Sequence, residues 1–196
     1  MTTLDLFAVP DGPDVAPWDA PWPEGTVVSD DPSVPDRLAV DAATAALSPC
    51  GTWRYALRRR WGPGPVLVWV MLNPSRADGR VDDHTIRRCV ALAKRDGYGA
   101  ITVVNLYAYR TPYPEELDGA DDPVGPVNDT VLRYVVGRAD AVVAAWGGDP
   151  RVAARTALVV KALGGRPLWC LGVTASGSPR HPSRVRRDAA FEPYVV

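Results

Sequence analysis

Three polar residues stand at or just beyond the ends of apolar runs, and their types are those that orient water, read hydrogen-bonding edges or move protons. Val66 to Leu72 is an unbroken apolar run stopped by Asn73-Pro74-Ser75, and residues 100 to 106 carry Asn105 at their far end. In an open parallel sheet, ligands bind outside the carboxyl ends of the strands, which makes Asn73 and Asn105 site candidates. Asn-Pro is equally an ordinary turn signal. The third residue is His181, in the polar loop Pro179-Arg180-His181-Pro182-Ser183-Arg184. It and His84 are the only histidines of the chain, and histidine titrates closest to neutrality.

A second cluster, Asp78, Asp82, Asp83 and His84, has oxygen donors suited to a divalent cation. Acids also favour the first turn of a helix, and a helix beginning here accounts for two of them without an ion. No metal site is assigned, with Asp82 and Asp83 as the nearest candidates. No cofactor is implied either, since the chain has neither a Gly-rich dinucleotide fingerprint nor a Walker loop.

The elements that must position these residues follow from hydrophobic period. Residues 66 to 72, 100 to 106, 141 to 145 and 167 to 171 read as buried strands. Helices are expected from Asp82 to Gly97, with Ile86, Cys89, Val90 and Ala93 inward, over 127 to 137, and from Arg151 to Leu163. Alternation of this kind predicts an α/β domain, a three-layer sandwich around a mostly parallel sheet. Residues 53 to 58 alternate as an antiparallel or edge strand, and the Ala-rich stretch 37 to 49 reads as a short helix. Residues 1 to 36 form an acidic, Pro-rich arm expected to be flexible, leaving 37 to 196 as a single domain. The carboxyl ends of the four strands then carry Asn73, Asn105, Trp146-Gly147 and the His181 loop along one edge.

Charge divides the chain in the same place. The first 36 residues hold eight acids and no Lys or Arg, so the remainder sets all 22 bases against 15 acids, a net of +7. A body of that sign suits a polyanionic partner. Cys50, Cys89 and Cys170 are odd in number and far apart, fit no disulfide or metal pattern, and are read as buried thiols. No membrane span or signal peptide is apparent, and the expectation is a cytoplasmic monomer.

From Trp53 to Arg184 the chain resembles a bacterial family known only as a domain of unknown function. The motifs, in order, are Leu72-Asn73-Pro74-Ser75, Asp82-Asp83-x-Thr85-x-Arg87-Arg88, Asn105-Leu106-Tyr107-Ala108, Asp122-Pro123-Val124-Gly125, Ala145-Trp146-Gly147 and Pro179-Arg180-His181-Pro182. More distantly, the layout is similar to the uracil-DNA glycosylase superfamily, above all its mismatch-specific thymine/uracil branch. In that branch the first core strand ends in an Asn-Pro motif, other branches carry an Asn at the end of a middle strand, and several close with His-Pro-Ser. That likeness implies a base-recognising hydrolase of the N-glycosidic bond, with nucleic acid, chiefly DNA, or a nucleotide as its partner. Asn73 would orient water and His181 would donate to the departing base. Pro74, Ser75, Asn105, Tyr107, Tyr109, Trp146 and Gly147 would hold the base, and Arg88, Arg110, Arg180 and Arg184 would take phosphates. A non-catalytic binding module on the same fold is the alternative, and a metal-dependent phosphoester hydrolase a further one. Near the N-terminus, Leu4, Leu6 and Phe7 resemble the short peptide with which bacterial repair and replication proteins dock on the sliding clamp.

Overall fold

The structure, a computed structural model, describes residues 26–30, 40–75, 77 and 82–196. The proposed clamp peptide Leu4, Leu6 and Phe7, and Asp78 of the acidic cluster, lie outside the described residues.

Within that range the strands are β1 (Val27–Asp30), β2 (Ala42–Leu47), β3 (Arg54–Arg60), β4 (Val66–Met71), β5 (Ala100–Asn105), β6 (Ala141–Ala144), β7 (Leu168–Cys170) and β8 (Glu192–Pro193). The helices are α1 (His84–Arg95), α2 (Asn128–Arg138) and α3 (Ala153–Leu163). All eight strands join one sheet in the order β1-β2-β3-β5-β4-β6-β7-β8. Its centre, β5-β4-β6-β7, is parallel, and its flanks are antiparallel. The sheet is therefore mixed rather than mostly parallel.

Two of the differences from the sequence-based expectation lie at the start of the domain. The Ala-rich stretch expected to be a helix is strand β2, because pairing with β1 and β3 overrides alanine's helical preference. Residues 27–30, inside the stretch expected to be a flexible arm, pair with it. Of the two alternatives for β3, the antiparallel one holds: the strand is interior, between β2 and β5, and buried from Arg54 to Arg59.

Side chains alternate along the central strands and so feed two cores. Leu67, Trp69, Met71, Ile101 and Val103 meet Ile86, Cys89, Val90 and Ala93 of α1. Val68, Val70, Val104, Val142 and Ala144 meet Val131, Leu132, Val135 and Val136 of α2 and Val159 and Leu163 of α3. Three layers result. After β4 the chain leaves toward the α1 face, whereas after its neighbours β5 and β6 it leaves toward the other face. A crevice must open where such connections diverge, and here that place is the carboxyl end of β4.

Candidate functional site

Pro74 lacks an N–H and ends the β4 ladder. The chain beyond β5 continues to pair with β4, Leu106 N–H donating to Met71 O (2.9 Å) and Tyr107 N–H to Leu72 O (2.9 Å). It then crosses to a turn in which the Asp122 carboxylate accepts from Val124 N–H (3.1 Å) and Gly125 N–H (2.8 Å). Gly125 has φ +86° and lies so close to Trp53 that a Cβ would sit 2.7 Å from the indole, which explains glycine there. The Asp-Pro-Val-Gly motif is thus a brace for the loop 106 to 112.

That loop is tied back to Asn73. Thr111 N–H donates to Pro74 O (2.9 Å), and Asn73 Nδ2 donates to Thr111 O (2.8 Å) and Pro74 O (3.3 Å). Both bonds use the amide nitrogen, and the Oδ1 acceptor takes no bond from the described residues. Beside this knot is an open pocket of about 490 Å³ lined by Gly51, Thr52, Ser75, Tyr109, Arg110 and Pro112. Arg110 is fastened to its rim by Nη1 to Gly51 O (3.2 Å), while its Nε is buried without a partner among the described residues. A hydroxyl, an aromatic ring and a guanidinium therefore share one concave surface next to Asn73.

Asn105 is placed deeper. It is 1% exposed, and its Oδ1 accepts from Nη2 of the buried Arg54 (3.3 Å), whose Nη1 holds Ala77 O (2.6 Å). Asn128, at the start of α2, secures the backbone by donating to the carbonyls of Asn105 and Leu106. The Asn105 Nδ2 is buried with no partner among the described residues. An unpaired buried amide donor costs about 1–3 kcal/mol, so what Asn105 retains for any ligand is a donor, not an acceptor.

His181 caps the short turn Pro182–Arg184. Its Nδ1 accepts from Ser183 N–H (3.3 Å) and lies 2.8 Å from Ser183 Oγ. An accepting Nδ1 places the neutral ring's proton on Nε2. Burial pushes the His181 pKa below its ordinary 6.5, partly opposed by the charge of Asp83. The folded state thus favours the neutral ring, and its contribution to stability is complete above pH 6.5 and is lost as pH falls below that value. Nitrogen-correlated NMR should show the Nε2–H tautomer at neutral pH, and His181→Gln should flatten part of the acid-side loss of melting temperature. A ring titrating at 6.5 or above would overturn this account.

Several candidates are not brought to this edge. Tyr107 is core, its hydroxyl donating to Arg151 O (3.0 Å), and Trp146 is 3% exposed and packed edge-on to Tyr194. Neither ring is open for stacking. They read as site residues because they follow strand ends, but the turns there fold their side chains back under α3 and β8. Gly147, at φ +79°, donates its N–H to Pro179 O (3.1 Å) and so ties the β6 end to the His181 loop. Arg88 Nη2 donates to Val185 O (3.0 Å), and Arg180 Nε to Val173 O (2.9 Å), while Arg184 is exposed. Asp83 caps α1 by accepting from Ile86 N–H (2.9 Å), and Asp82 is ion-paired to Arg59. Among the described residues no group of three or more metal-ligating side chains forms.

Nothing in the residue pattern pointed to the pocket's third wall, Gly51 and Thr52 in the β2–β3 turn. Cys50 belongs to that turn, and, unlike Cys89 and Cys170, it is exposed rather than buried. Hydrogen bonds with Ser48 and then Thr52 bring its pKa down to about 7, whereas burial raises the other two. Iodoacetamide should therefore alkylate Cys50 first, at a rate that climbs with pH and levels just above 7. Peptide mass spectrometry reads this directly. A rate still climbing past about 8.5, where ordinary thiols titrate, would count against the activated thiol.

The combination of a parallel-centred sheet and a polar pocket near the end of β4 defines an α/β domain with a candidate site at its switch point. The model of a family described as a protein of unknown function, DUF1643, matches residues 54–183, and the chain belongs to that family. No curated protein and no solved structure matches it. Among the described residues no helix is long and apolar enough to cross a membrane.

Proposed function

We propose that this protein recognises a nucleobase, in DNA or in a nucleotide, at the edge where β4 and β5 end, and hydrolyses its N-glycosidic bond. The observation that carries the reading is Asn73. Its Nδ2 is held by two backbone carbonyls, which fixes the amide plane and leaves Oδ1 as an acceptor with no bond from the described residues, in the knot whose neighbours Ser75 and Pro112 line the pocket. Glycosidic cleavage passes through an oxocarbenium-like sugar and a base that gains negative charge. An immobilised amide oxygen orients water toward the first, and the Nε2–H of His181 donates to the second. Tyr109 supplies the stacking ring and Arg110 the phosphate contact. The resemblance to the uracil-DNA glycosylases points the same way.

A second reading is a binding module without chemistry. It draws support from the hydrogen bonds of Asn73 and His181, each made to its own neighbours and none joining the two. One assay separates them. Labelled oligonucleotides carrying uracil, hypoxanthine, mismatched thymine or oxidised bases are incubated with the protein in EDTA, and abasic sites are revealed by alkali. Alkali-labile strands support the hydrolase. Binding without product leaves the module, and neither binding nor product, with these strands or with the matching free nucleotides, overturns both.

A further inference from the structure

We propose that the exposed face of α1, together with residues 184–187, is a docking ridge for the phosphate backbone of a nucleic-acid duplex, separate from the pocket. The ridge follows from helical period. Ile86, Cys89, Val90 and Ala93 are buried, so the opposite arc carries Arg87, Arg88, Lys94 and Arg95. The C-terminal segment is laid along this helix by Val185, Ala189 and Phe191, which pack into the α1-side core, the Phe191 ring lying 5.7 Å from Trp69. Two further bonds fix the alignment, Arg88 Nη2 to Val185 O (3.0 Å) and Arg95 Nη1 to Arg187 O (3.4 Å). With its apolar side chains turned inward, the segment leaves Arg184, Arg186 and Arg187 exposed next to the helix.

The acids nearby are fewer than the bases, and besides Asp41, whose charge acts on Lys94, they are engaged. Asp83 caps α1, Asp96 is chelated by Arg95 through two bonds of 2.7 Å, and Asp188 is held by Arg186 at 3.0 and 3.1 Å. Among the described residues no carboxylate pairs with Arg87, Arg184 or Arg187. From Arg88 to Arg95 the helix rises about 10 Å, a length over which a duplex presents several phosphates at about one per 1.7 Å. Arginine, whose fork engages phosphate oxygens in pairs, supplies nearly all of the charge. A lipid surface would call for apolar side chains among the cations, but the exposed large hydrophobic residues, Tyr113, Val160, Val173, Val195 and Val196, are on neither segment. The Pro182–Arg184 turn packs on α1, so a duplex on the ridge lies next to His181. Only the choice of nucleic acid as partner rests on the proposed function.

Fluorescence anisotropy of the full chain with a labelled duplex, titrated with salt, tests the ridge. The double variant Arg87→Glu/Arg187→Glu, both at exposed positions, should weaken binding at least about tenfold and flatten the slope of log K against log salt by roughly 2, about one for each phosphate left without its arginine. Lys161→Glu on α3 should change neither, and circular dichroism verifies that all variants fold. Unchanged affinity and slope in the double variant would overturn the ridge. So would an equal loss in Lys161→Glu, or binding to phosphatidylserine vesicles in place of the duplex. The pocket fails or stands separately: base release absent in wild type, with duplex binding lost on charge reversal, keeps the ridge and removes the hydrolase.

Discussion

Asn73→Ala should lower base release by about 10²–10⁴-fold, the range over which a positioned group assisting proton transfer contributes, while duplex affinity stays within a factor of about two, since phosphate contacts set it. The substitution also removes the donor to Thr111 O and Pro74 O. Pro74 O keeps its bond from Thr111 N–H, but leaving Thr111 O unpaired costs about 1–3 kcal/mol where it is shielded from water, so melting temperature must be measured beside the rate. Asn73→Asp separates the two roles. A carboxylate is the stronger base, yet it cannot donate, and here it would face two carbonyl oxygens. That is a physical reason for an amide at this position: the loop demands a donor that an acid cannot supply. Asn73→Asp should accordingly be less stable than Asn73→Ala and gain no rate from its added basicity. Base release that merely tracks the folded fraction across both variants would reduce Asn73 to a loop brace.

Legibility in the sequence followed burial. Runs such as Val66–Met71 and Ala100–Asn105 are apolar on both faces because helices cover both, and that signature is local. The strand-end positions of Asn73 and Asn105 followed directly. What the sequence hid depends on partners distant in the chain. Alanines at 42–47 are strand only because β1 and β3 flank them. Arg54 and Arg59 carried no role in the sequence reading, yet both are buried, Arg54 tying Asn105 to Ala77 and Arg59 holding Asp82. Tyr107 and Trp146 show the reverse error, since position after a strand says nothing about which way the next turn carries a ring. The pocket's Gly51–Thr52 wall comes from a hairpin turn more than 20 residues away from Ser75, brought close by the Arg110 bonds to that turn and the adjoining Trp53–Tyr109 bridge.

The ion pair between Arg59 and Asp82 should carry the largest stability effect of any single polar contact described above. Both side chains are almost wholly buried, at 1% and 5% exposure, with Nε and Nη2 of Arg59 donating to the same Asp82 oxygen at 3.0 and 2.9 Å. Asp82 directly precedes the cap of α1, so the pair fastens the start of that helix to β3 and, through the helix, positions the His181 turn. Breaking one side of a buried pair strands the other charge and typically costs about 3–5 kcal/mol. The second Asp82 oxygen is buried without a partner among the described residues, and Arg59 Nη1 keeps its bond to Arg58 O (2.7 Å), both of which place Asp82→Ala at the lower end. A loss near 3 kcal/mol corresponds to roughly 6–12 °C of melting temperature in a chain of this size. The discriminating variant is Arg59→Met combined with Asp82→Leu. If the cost is that of an uncompensated guanidinium, removing both charges recovers most of the loss, because a buried pair is near break-even against well-packed apolar side chains. If the double variant stays as unstable as Asp82→Ala, the carboxylate is needed in its own right to seat α1. An Asp82→Ala protein within about 1 kcal/mol of wild type would show that the pair holds neither.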